Sequence, residues 1–257
     1  MAGGERAVME RLLRLLFPPR CAACETLLDW YDSTKEAALC PSCEETFRKE
    51  ARERCLLCDR PVSDCLCVTE LMRRAKCETF VKLCFYRQGT RQAVANRLVY
   101  HVKEQRDRVT ERYLAKALWE RLRKQISNEE CVSVTYLPRT RRARATYGND
   151  QAEALARMLA AEAGCPFVHA LVRSKQGEHE QKKLTSAGRR RNARRAFLAD
   201  PRAELYGRTV ILVDDVVTTG ASMAACAALL RRAGAARVYC MAVASDDVNR
   251  DPLPKRV

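Results

Sequence analysis

Two adjacent carboxylates, Asp214 and Asp215, close an uninterrupted apolar run, Val210 to Val213, and are soon followed by Thr218-Thr219-Gly220-Ala221-Ser222. Each part has a chemical use. Small hydroxyl residues and a glycine ahead of a helix offer backbone N–H groups, Oγ donors and the positive end of the helix dipole, all suited to a phosphate monoester. Paired carboxylates accept hydrogen bonds from vicinal hydroxyls and can help to hold hydrated Mg²⁺. Together they describe a site for a sugar phosphate. A tight strand-to-helix turn with a threonine cap would account for the Thr-Thr-Gly stretch alone, but not for two repelling acids beside it.

A second chemistry lies near the N-terminus. Of the 14 cysteines, eight come in pairs: Cys21-x-x-Cys24, Cys40-x-x-Cys43, Cys55-x-x-Cys58 and Cys65-x-Cys67. Such knuckles turn two thiolates toward one point, and two knuckles complete the tetrahedral set that Zn²⁺ prefers, so about two structural zinc ions are expected. Spacing does not say which pair joins which. Neighbouring pairs are the default and interleaved pairing is the alternative. Few large apolar side chains lie between 21 and 70, so metal must stand in for a core there. The isolated Cys77, Cys84, Cys131, Cys165, Cys226 and Cys240 read as small buried apolar residues. His101, His169 and His179 have no metal or triad spacing and read as structural.

Charge gives a third signal. The chain has 257 residues, 47 basic against 32 acidic, for a net charge of +15. Arg139 to Arg144 holds four arginines and Lys182 to Arg195 seven basic residues, with no acid in either run. That concentration implies a polyanionic ligand: nucleic acid, a pyrophosphate, or both. Apolar residues, at 47%, suffice for an α/β domain plus a small module. The apolar runs fall far short of the ~20 residues of a membrane span. With no export signal the cysteines do not read as a disulfide framework, and a cytoplasmic protein is expected.

These groups need elements to position them. Residues 1–20 read as an amphipathic helical segment ended by Pro18-Pro19, 21–70 as a double zinc ribbon, and 76–250 as an α/β domain. In that domain Phe80 to Tyr86, Val132 to Leu137, Phe167 to Val172, Val210 to Val213 and Val238 to Ala244 read as strands. Helices are expected over 92–103, 109–124, 151–163 and 223–233, with Asn149 or Asp150 capping the third. Strands alternating with helices imply parallel pairing and ligands at the carboxyl ends of the strands, which puts the Arg139 loop and the aspartates on one edge. The stretch Gln176 to Arg195 is too polar to be buried and reads as a lid.

The stretch from Val210 to Ser222 resembles the phosphoribosyl pyrophosphate (PRPP) binding motif of type I phosphoribosyltransferases. That resemblance implies that Asp214 and Asp215 meet the ribose hydroxyls, with Mg²⁺ accompanying the ligand, while Thr218, Thr219, Gly220, Ala221 and Ser222 hold the 5-phosphate. More of the chain resembles the ComF family, which joins a double zinc ribbon to a phosphoribosyltransferase domain. The resemblance is carried by Leu15-Leu16-Phe17-Pro18-Pro19-Arg20-Cys21, Tyr136-Leu137-Pro138-Arg139, Gly148-Asn149-Asp150-Gln151-Ala152, Gln181, Leu184, Arg191, Asn192 and Phe197. Asn149 departs from the family's aromatic residue. The implied fold is α/β, a parallel-sheet type I phosphoribosyltransferase-like domain with a small N-terminal zinc-ribbon module. The implied setting is DNA uptake in natural competence.

Displacing pyrophosphate from an anomeric carbon builds negative charge on the leaving group, so arginines and excluded water can supply the acceleration. Asp214, Asp215 and Arg139 are the candidate catalytic residues. Arg139, Arg141 and Arg142 are assigned to the pyrophosphate side, with Gln181, Arg191 and Asn192 in the lid. The acceptor and the oligomeric state are not legible. A non-catalytic PRPP-responsive regulator is one competing reading, and a zinc-dependent single-stranded DNA-binding accessory protein is another.

Overall fold

The structure is a computed structural model and describes residues 16–28, 37–87, 92–126, 132–140, 144–146, 148, 150–174 and 195–246. Arg141, Arg142, Asn149, Gln181, Arg191 and Asn192 lie outside these, as do Cys131, His179, almost all of the proposed lid and most of the 1–20 segment.

The centre is a four-stranded parallel sheet in the order β1-β6-β5-β2, with β1 at Phe80–Phe85, β2 at Val132–Tyr136, β5 at Thr209–Val217 and β6 at Arg237–Ser245. Alternation along the strands divides the core into two layers, as the two-residue period of a strand requires. Val81, Leu83, Ile211, Val213, Tyr239 and Met241 point to one side, and Phe80, Val210, Leu212, Val238 and Cys240 to the other. Helices α3 (Val94–Glu104), α4 (Arg108–Leu122) and α5 (Gln151–Ala163) cover the first face. The second face is covered by α2 (Glu70–Arg74), α6 (Ala221–Arg232) and a two-stranded antiparallel sheet, β3 (Leu171–Arg173) with β4 (Phe197–Ala199). Among the described residues no helix is long and apolar enough to cross a membrane.

Three expectations change. The expected third strand is split: Phe167 makes one parallel bridge to Val134, and only Leu171–Arg173 forms a strand, which turns away to pair with β4. That pairing joins segments on either side of 175–194, and β4, with its three residues, is too short to carry a periodic signal. The strand expected to end at Val213 continues through both aspartates to Val217, because β6 pairs with it that far while β2 stops at Val213. Asp150 stands at the N-cap of α5 without capping it. Its carboxylate Oδ2 accepts instead from the Arg139 backbone N–H, at 2.9 Å.

The cysteine module includes α1 (Pro41–Glu50) and packs onto the sheet domain without an intervening gap. Cys21, Leu39, Cys43 and Phe47 belong to one buried cluster with Val81, Leu98 and Leu118. The Glu50 carboxylate accepts from the first N–H groups of α3, which the helix itself leaves unsatisfied, those of Val94 and Ala95, both at 2.8 Å. The first half of the module therefore shares the core of the sheet domain, while Cys55, Val62 and Cys65 of the second half form a small cluster with Phe85 of β1.

Candidate functional site

Eight thiols gather into two clusters, Cys21-Cys24-Cys40-Cys43 and Cys55-Cys58-Cys65-Cys67, with ligand atoms in each within 4.8 Å of one another. Neighbouring pairs therefore join, and each cluster can hold a zinc ion. The first knuckle of each is built alike. Cys21 N–H donates to the Thr26 carbonyl, and Glu25, in a left-handed conformation with φ 62°, donates back to the Cys21 carbonyl. Cys55 with Arg60, and Asp59 at φ 55°, repeat the pattern. Arg20 and Arg54 each donate to the carbonyl of that left-handed residue, at 3.0 and 2.6 Å. The repeat Arg-Cys-x-x-Cys-acid, at 20–25 and 54–59, was available in the sequence as this signal.

The second halves differ. Cys40 is the N-cap of α1 and Cys43 lies in its first turn, where burial and then the neighbouring thiols push the Cys43 thiol up. Cys65 instead meets Lys82, a β1 residue only 2% exposed, whose ammonium donates to the Cys65 sulfur at 3.2 Å and to its carbonyl at 3.3 Å. Burial works to raise the Cys65 thiol, but Lys82 and neighbouring hydrogen bonds draw it down to about 7. Nothing in the local sequence marks Lys82, which looks like one more strand residue.

The other constellation forms where β5 outruns β2. Asp214 and Asp215 sit half-buried beyond the last β2 pair, and each turns a carboxylate oxygen back to the following amide: Asp215 N–H at 2.8 Å and Val216 N–H at 2.7 Å. Across the gap, Leu137 N–H still reaches the Val213 carbonyl at 3.0 Å, and the chain then turns through Pro138 to Arg139. The Arg139 guanidinium pairs with Asp215, while the Lys103 ammonium, from the last turn of α3, stands 3.7 Å from the same oxygen. Arg173 of β3 lies over the Phe197 ring and donates to the Pro138 carbonyl at 3.2 Å, bracing the turn.

These neighbours set the aspartates apart. Burial first, then the charge of Asp215, push the Asp214 carboxyl well above the ordinary range. Burial works the same way on Asp215, but Lys103 and Arg139 outweigh it and hold that carboxyl low. Asp214 is therefore the member that takes up a proton first.

Beyond Val217 the chain passes Thr218, exposed, and Thr219, whose Oγ1 accepts from Ala221 N–H at 3.4 Å, and then enters α6. Gly220 is the N-cap, left-handed at φ 72°. A Cβ there would lie 2.7 Å from Thr69 Oγ1 and 3.3 Å from Met72 Sδ, so only glycine lets α2 support the loop from behind. The predicted Asp214, Asp215, Arg139 and Thr218–Ser222 thus share one edge, and the structure adds Lys103, Arg173 and Asp150. Sequence reading missed Lys103 and Arg173, and took Asp150 for a helix cap and part of a family motif, because their meaning comes from pairing across the chain rather than from spacing.

The family model described as a phosphoribosyl transferase domain matches residues 149–256. Competence protein F of Haemophilus influenzae is 33% identical over 98 residues, 38% of this chain and 43% of that protein. DNA utilization protein YhgH of Salmonella typhi is 34% identical over 96 residues, 37% and 41% of the two chains. The chain thus matches less than half the length of these relatives. Adenine phosphoribosyltransferase from Leishmania tarentolae, a solved structure, is 19% identical over 58% of this chain and 76% of its own, with a TM-score of 0.37, too slight to bear on the assignment. The fold is the parallel-sheet α/β type of phosphoribosyltransferases, with an N-terminal cysteine module compatible with a zinc ribbon. The competence resemblance drawn from the motifs is met by relatives of those names.

Proposed function

We propose that this edge binds PRPP together with Mg²⁺ and transfers its phosphoribosyl group to an acceptor with release of pyrophosphate. The observation that carries the reading is the continuity of β5 into α6: two carboxylates stand on β5 where β2 has stopped and only β6 still pairs with it, and the residues after Val217 form a small hydroxyl-rich loop at a helix N-terminus. Asp214 and Asp215 accept from the ribose hydroxyls. Thr218, Thr219 and Ser222, with the N–H groups of Gly220 and Ala221, take the 5-phosphate. Arg139 turns to the pyrophosphate, where charge grows as the bond to the sugar lengthens. The half-buried carboxylate pair is a hard oxygen donor set that fits Mg²⁺, which when bound neutralises ligand phosphate charge.

The relatives' names and the charge of +15 extend the proposal to a part in DNA uptake. Arg141, Arg142, Gln181, Arg191 and Asn192 enter it as the remaining pyrophosphate and lid residues. Calorimetry with PRPP, with and without Mg²⁺, tests binding, and a pyrophosphate-release screen across nucleobases and amines tests transfer. Magnesium-dependent heat is expected, and its absence would remove the reading.

A further inference from the structure

Arg139 and Lys103 come from unrelated segments, the turn after β2 and the end of α3, yet both reach Asp215. Two consecutive residues at the start of α5 hold their backbones. Asp150, 6% exposed, accepts from Arg139 N–H at 2.9 Å, and Gln151, 1% exposed, donates its Nε2 to the Lys103 carbonyl at 2.8 Å. That carbonyl belongs to the last turn of α3, where the helix supplies no donor of its own. Each side chain thus fixes the main chain beneath one cation.

We infer that Asp150 and Gln151 are positioning residues that present Lys103 and Arg139 as a pair of cations for the pyrophosphate group, with Asp215 their counter-ion until the ligand arrives. This rests on the PRPP reading and adds Lys103 to the binding residues. Both cations and Asp215 keep part of their side chains in solvent, so the ion pairs can exchange for a more highly charged anion without a fully buried charge being stranded. Because the backbones are already fixed, only side-chain freedom is lost on binding. Exchange also frees the Asp215 carboxylate at the moment a ribose hydroxyl needs it.

Calorimetry of the full chain with magnesium pyrophosphate and, separately, ribose 5-phosphate tests this. Asp150→Ala, Gln151→Met and Lys103→Met should each weaken pyrophosphate about tenfold, the factor a hydrogen bond of about 1.4 kcal/mol is worth, and leave ribose 5-phosphate within about twofold. Asp150→Asn keeps an acceptor oxygen and should match wild type. Lys103→Met, at a partly exposed side chain, keeps the test decisive where a bracket variant fails to fold. Unchanged pyrophosphate affinity in Lys103→Met, or equal weakening of both ligands, would overturn the inference. Wild-type protein that binds pyrophosphate but neither ribose 5-phosphate nor PRPP would uphold the bracket and remove the sugar-phosphate reading. Ribose 5-phosphate binding without pyrophosphate binding would overturn the bracket alone, and binding of neither would overturn both.

Discussion

The cysteine clusters and the aspartate edge both crowd together groups that repel one another when ionised, and they relieve the repulsion in opposite ways. Four thiolates per cluster require a cation from outside the chain, with Lys82 the one ammonium bonded to a cluster sulfur among the described residues. The aspartates are balanced from within, by Arg139 and Lys103 and by the proton that Asp214 favours. A site that depends on an external ion is written in local spacing, since its ligands need only come near one another. A site balanced by the protein depends on the fold to deliver its partners, and those partners can be exchanged for a ligand.

The largest effect should come from taking away the external cation. Metal analysis of protein purified without chelator is expected to give about two zinc ions per chain. Less than one, with disulfides in place of thiols, would break the comparison. Coupled metal binding contributes on the order of 10 kcal/mol in small zinc modules, so Cys40→Ser or chelation should lower the melting temperature steeply. The effect should spread to the ligand edge, because Glu50 of the module caps α3 and α3 carries Lys103. Loss of zinc with no change at the ligand edge would show that this coupling is weak.

Next comes the aspartate pair. Asp214→Asn with Asp215→Asn should leave the protein folded while weakening PRPP at least about a hundredfold, since charge-assisted hydrogen bonds contribute about 1.5–3 kcal/mol each. Titration calorimetry and a melting curve on the same sample separate the two consequences. A double amide that binds PRPP as wild type does would end the assignment.

A smaller effect tests whether the two clusters are alike. Lys82→Met removes the ammonium beside Cys65 and should weaken zinc in the second cluster about tenfold, as changes to groups that support metal ligands do, while sparing the first. Competition with a graded chelator reads the two sites in turn. Equal loss from both would mean that Lys82 acts on stability alone.

What the sequence disclosed follows the same division. The cysteine knuckles and the Asp214 to Ser222 stretch could be read because their parts lie within a few residues of one another, and the long periodic elements were found nearly to their ends, α5 among them. Strand β4 was missed because a three-residue strand has too little pattern. The extension of β5 through charged residues was missed because pairing with β6 overrides the polarity that normally ends a buried strand. Lys103, Arg173 and Lys82 carry no mark in their own neighbourhood. Asp150 did look significant, but as a helix cap, and only the approach of Arg139 gave its carboxylate a different partner.

The smallest predicted effect is one of sign. Asp214 has its carboxyl raised in the folded state, chiefly by burial and then by Asp215, so between the ordinary carboxyl value and its own the folded protein holds more protons than the unfolded chain. Stability from this group is full below the ordinary value and is lost as pH rises through that window. Asp215 is held low by Lys103 and Arg139 against the effect of burial, so its contribution is present above the ordinary value and is lost as pH falls through its folded value. Melting curves without magnesium, taken across pH for wild type, Asp214→Asn and Asp215→Asn, should therefore give difference curves of opposite slope. Asp214→Asn should gain on wild type as pH rises, and Asp215→Asn should lose ground over the acid range just above the folded Asp215 value. Parallel difference curves would mean that the two carboxylates share their surroundings equally, and that Arg139 and Lys103 do not distinguish Asp215 from its neighbour.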